Sequence, residues 1–80
     1  MIAMAAFRVW CRADNVAPNQ FLAVVTAIPD DSQSAGIKPE SESRLVATRA
    51  LAHDACSQMV VSMRERLERR GDKVTRVDFV

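Results

Sequence analysis

Tyrosine is absent from this 80-residue chain, histidine occurs once, and cysteine and glycine occur twice each. Each scarcity excludes something. Two glycines cannot build a phosphate-cradling loop, and none falls in a nucleotide-binding pattern. Two cysteines, Cys11 and Cys56, are too few for a disulfide framework and lack the C-x-x-C spacing of metal or redox motifs. They read as small buried hydrophobes in a reducing compartment. One-sided charge is missing too. Eleven basic and ten acidic residues leave a net charge of +1, which removes any whole-chain attraction to nucleic acid or acidic membrane. Long apolar runs are also lacking. "FLAVVTAI" reaches eight residues, where a bilayer span needs about 20. The opening "MIAMAAF" has no basic leader, so no secretory signal is expected, and the expected location is cytoplasmic.

What is present is a small globular composition, 49% apolar and 26% charged. A chain of this size buries only about 60% of its unfolded surface, so a single core is marginal and association helps it. One domain over residues 1–80 is expected. "FRVWCRA" alternates, with Phe7, Val9, Cys11 and Ala13 on one face and Arg8, Trp10 and Arg12 on the other. A strand over about residues 3–13 follows, then turn formers in "DNVAPNQ" and a second strand in "QFLAVVTAI", which reads as a hairpin. Residues 29–43 are rich in Pro, Asp, Ser, Gly and Glu and read as a flexible loop.

From about Ser41 to Arg70 the spacing predicts one long helix. Glu40 and Glu42 suit its entry, while Arg69, Arg70 and Gly71 suit its exit. Its apolar stripe runs through Leu45, Thr48, Ala52, Ala55, Cys56, Met59, Met63 and Leu67. "KVTRVDFV" closes the chain as a strand. The expected class is α+β: a two-layer β-β-α-β domain. Its sheet would be three-stranded and mainly antiparallel, in order 2-1-3, with the helix on one face. Order 1-2-3 with a parallel pair is the alternative.

A helix of about 28 residues is about 42 Å long, whereas strands of this length span about 23–30 Å. The helix is therefore expected to overhang its sheet, and its stripe persists into the overhang. Arg66 and Arg70 fall on that stripe, either where the helix passes the sheet's edge or where they cap a partner's helix. The sheet's other face would expose Trp10 with aliphatic neighbours. Such surplus apolar surface points to a homodimer, formed by back-to-back sheet packing or by edge pairing through the last strand with the helix overhang gripping the partner. Trp10, Arg8, Arg12, Val24, Arg76, Leu45 and Leu67 are the candidate interface residues.

The expected function is a non-catalytic structural or interaction module whose partner is a second copy of itself. The alternative is a nucleic-acid-binding accessory protein that stacks a base on Trp10 and holds phosphates with Arg8, Arg12 and Arg76. His53 and Cys56 are near neighbours on the helix and could activate a thiolate. Asp54 points away from them, however, and no orienting carboxylate joins them. Even with Cys11 only three metal ligands could meet, so no cofactor or metal is expected.

Overall fold

The computed structural model describes residues 6–29 and 38–80. Its elements are β1 (Ala6–Ala17), β2 (Gln20–Pro29), β3 (Glu40–Val46), α1 (Arg49–Arg69) and β4 (Lys73–Phe79). They form one four-stranded sheet in the order β3-β2-β1-β4, with α1 packed on one face. The class is α+β, but the sheet is mixed. β1–β2 and β2–β3 are antiparallel, whereas β1–β4 is parallel. The expected three-stranded 2-1-3 sheet is thus corrected by one strand. β3 reverses the chain once more before the helix, so β4 returns parallel to β1.

The turn between β1 and β2 is tighter than the run of turn formers implies. β1 continues to Ala17, leaving Pro18 and Asn19 at the corner. Asn19 adopts φ 59°. Proline presets φ at the first corner position and asparagine tolerates left-handed backbone at the second. Of the expected loop, Pro29 ends β2 and residues 40–43 lie in β3, while residues 30–37 lie outside the described residues, as do residues 3–5 of the expected first strand.

The helix begins at Arg49 because Thr48 caps it: the Thr48 hydroxyl accepts from the Leu51 amide at 3.1 Å. Seven of the residues assigned to the helix or its entry, Glu40 to Val46, are strand instead. At 21 residues the helix is about 31 Å long, and β1 and β2 are at least as long. The overhang expected from sequence does not exist. At the other end Gly71, at φ 95°, supplies the left-handed residue of a Schellman cap. Its amide donates to the Glu68 carbonyl at 3.1 Å, and the Asp72 amide to the Leu67 carbonyl at 2.9 Å.

The core lies between one sheet face and α1. Phe7, Val9, Cys11, Ala23, Val25 and Ala27 meet Ala52, Ala55, Cys56, Met59, Val60, Met63 and Leu67, all buried. Alanines on both layers let the helix sit close to β2. Cys11 and Cys56 are joined by a disulfide across the two layers, 45 residues apart in sequence with Cα atoms 5.9 Å apart. Unpaired cysteines were the ground for a reducing compartment, and that ground is gone, since disulfides persist chiefly in oxidising surroundings. No helix among the described residues is long and apolar enough to cross a membrane.

Candidate interaction surface

Strand alternation fixes what the uncovered face carries. β1 presents Arg8, Trp10 and Arg12. β2 presents Leu22, Val24, Thr26 and Ile28, β3 presents Ser41, Ser43 and Leu45, and β4 presents Arg76 and Asp78. The registers arrange them in rows across the strands. Ser41, Thr26, Trp10 and Asp78 form one row, and Ile28, Arg8 and Arg76 another. Leu45, Leu22 and Asp14 form a third, with Ser43, Val24 and Arg12 between. Trp10 therefore stands at the middle of this face. It is half-buried, as are Leu22, Val24, Thr26 and Ile28, while Leu45 is 56% exposed. No described element covers these side chains.

The charges on this face are closely matched. The Arg12 guanidinium lies 5.9 Å from the centre of the Trp10 ring, and its Nε pairs with Asp14 Oδ2 at 2.9 Å. Arg76 Nε pairs with Asp78 Oδ2 at 2.8 Å. The Arg12 head thus lies against the indole while Asp14 holds it, and Asp78 holds Arg76. Toward β4 the face sinks into an open depression of about 500 Å³, lined by Arg8, Trp10, Asp78, Phe79 and Val80. Phe79 is 63% and Val80 78% exposed, so apolar surface continues from the depression to the outer edge of β4.

The expected interface residues separate into two groups. Arg8, Trp10, Arg12, Val24, Arg76 and Leu45 share the uncovered face. Leu67 does not: it is fully buried in the chain's own core and offers a partner nothing. Leu45 reaches the face from β3, not from the helix on which its spacing placed it.

Arg66 and Arg70 prove to be internal fasteners. β3 turns Glu40, Glu42 and Arg44 toward the helix. Arg66 Nη1 donates to Glu42 Oε1 at 2.6 Å, and Arg70 Nη2 donates to Glu40 Oε2 at 2.5 Å. Arg70 Nε also reaches Asp72 Oδ2 at 2.6 Å. Hydrogen bonds to Asp72 and then to Glu40 raise the Arg70 pKa above its ordinary value. Arg44 Nη1 donates to Gln58 Oε1 at 3.2 Å. No local pattern in the sequence reports this latch, because its partners lie 24 and 30 residues apart; its one signal is two arginines on an apolar stripe.

The thiolate chemistry is closed, since both sulfurs are consumed by the disulfide. His53 and Asp54 are exposed on the helix. Among the described residues no three His, Cys, Asp or Glu side chains converge as a metal would need. The chain matches no family model, no curated protein and no solved structure.

Proposed function

We propose that this chain is a non-catalytic interaction module that works as a homodimer. The observation that supports this is the uncovered sheet face, with half-buried Trp10 among Leu22, Val24, Ile28 and Leu45 and a depression running to β4. A contiguous apolar patch rimmed by arginines is what subunit contacts favour. Each part of this apolar surface that a second copy removes from water stabilises the complex by about 25 cal/mol per Å², before association costs.

A second reading, single-stranded nucleic acid stacked on Trp10, draws on the Arg12 guanidinium above the indole. Against it stand the carboxylates of Asp14 and Asp78, each already engaging an arginine that a phosphate would need. Salt-sensitive quenching of Trp10 fluorescence by oligonucleotides would favour nucleic acid; indifference to them excludes it.

Sedimentation equilibrium tests the main reading. The parent chain is expected to be a dimer, and Trp10→Ala should weaken that dimer about tenfold through lost apolar contact. A monodisperse, folded monomer for the parent would overturn it.

A further inference from the structure

The outer edge of β4 offers a specific way for two copies to meet. β4 is the last strand of the sheet, paired on one side with β1 and with no described element on the other. Its phase is readable: the Val80 amide donates to the Cys11 carbonyl at 2.8 Å, so residue 80 directs its backbone groups inward to β1. Backbone groups alternate sides along an extended strand. Arg76 and Asp78 share the inward direction, and Val77 and Phe79 present theirs outward, unpaired by the sheet. An edge of this kind is a template for another strand.

We propose that two copies join β4 to β4 antiparallel about a two-fold axis at Val77, making one continuous eight-stranded sheet. This rests on the homodimer reading above and locates the contact at the β4 side of the Trp10 face, where it borders the depression and leaves the β2 and β3 part of that face uncovered. A two-fold axis between antiparallel edge strands stands perpendicular to the sheet, so both helices lie on the same face. Inward-facing residues then oppose inward-facing ones, which leaves few symmetric registers. Centring the pair on Arg76 sets arginine against arginine, and centring it on Asp78 sets carboxylate against carboxylate. Centring it on Val77 sets Arg76 against the partner's Asp78, and Asp78 against the partner's Arg76. Opposite charges directly across a strand pair are favourable and like charges are not.

That centre also agrees with the backbone phase. Val77 faces outward with both its N–H and C=O, so it and the partner's Val77 exchange two hydrogen bonds. Across the joined sheet, one row then reads Arg8, Arg76, the partner's Asp78 and the partner's Trp10. The like-charged neighbours Arg8 and Arg76, side by side in a single copy, gain a carboxylate beyond them. Trp10 gains an arginine beyond Asp78. The depression at Arg8, Trp10, Asp78, Phe79 and Val80 borders this seam, and the second copy supplies its missing wall.

A charge exchange tests the register. Arg76→Asp places four carboxylates at the seam, and Asp78→Arg places four arginines there. Each variant alone should dimerise at least about tenfold more weakly than the parent, while circular dichroism and melting confirm a folded chain. The double variant Arg76→Asp/Asp78→Arg should dimerise like the parent. When the two single variants are mixed, both seam carboxylates of one copy face the two seam arginines of the other. Native mass spectrometry should then show the heterodimer as the dominant species. A dimeric parent whose single variants dimerise equally well, with no heterodimer preference on mixing, overturns the register and leaves self-association standing. A monomeric parent overturns both.

Discussion

The sheet has two edges, and they are protected to different degrees. β3 turns Glu40, Glu42 and Arg44 toward the helix, where Arg66, Arg70 and Gln58 hold them. Inward-pointing charges on an edge strand deter a neighbour from pairing with it, because a docking strand must accommodate them. β4 turns Val74 and Val77 toward the core and leaves Phe79 and Val80 exposed. Its blunting features, Lys73 and the register shift at Thr75, lie in its first half, and from Arg76 to Phe79 it pairs regularly with β1. The fastenings differ in kind as well. β3 is tied to the helix by partly exposed ion pairs, whereas β1, which carries β4, is tied to it by the Cys11–Cys56 disulfide. One edge is closed by side chains, and the other is rigid and open. This difference is the physical basis for placing the contact at β4.

The comparison can be broken first at the disulfide. Closing a loop of this length accounts for about 4 kcal/mol in the chain-entropy account. Cys11→Ala/Cys56→Ala should lower unfolding free energy by roughly that amount, read from denaturant midpoints. The parent in reductant should follow it, and the dimer should weaken as the support beneath β4 loosens. A smaller effect is expected at the other edge. Glu40→Gln/Glu42→Gln removes both acids of the latch, and at this exposure the loss is about 1 kcal/mol. Unguarding β3 should also yield species larger than a dimer by light scattering, because a second edge becomes available. Smallest is Thr48→Ala, expected to cost about 1 kcal/mol or less by thermal melting through the lost helix cap. An unchanged melting temperature for that variant would argue against a helix that begins after a strand.

Much of this architecture could be read from local spacing. The alternation in "FRVWCRA" correctly puts Phe7, Val9 and Cys11 inside and Arg8, Trp10 and Arg12 outside, because strand periodicity needs only neighbouring residues. Gly71 marks the helix exit for a similarly local reason. β3 could not be read that way. Its inner face carries Glu40, Glu42 and Arg44 where a core-facing strand normally carries aliphatics, and the same acids mimic a helix entry after Pro39. Leu45 and Thr48 then continue the helical spacing by coincidence, hiding a strand and a cap inside an apparent first turn. The latch and the disulfide depend on contacts between distant segments, which no local pattern reports. Of the candidate site, Trp10 and the arginines came from alternation. The edge place of the last strand beside β1 was legible too, since the expected order 2-1-3 already puts it there; its parallel direction was not, since that follows from the reversal that β3 introduces.

Amide hydrogen exchange on the parent chain, followed as a function of concentration, tests the contrast between the edges most directly. The Val77 amide points away from β1 and should become protected as dimer forms, with the β3 edge unchanged. If Val77 exchanges equally fast at every concentration while the chain remains dimeric, the contact is not at β4.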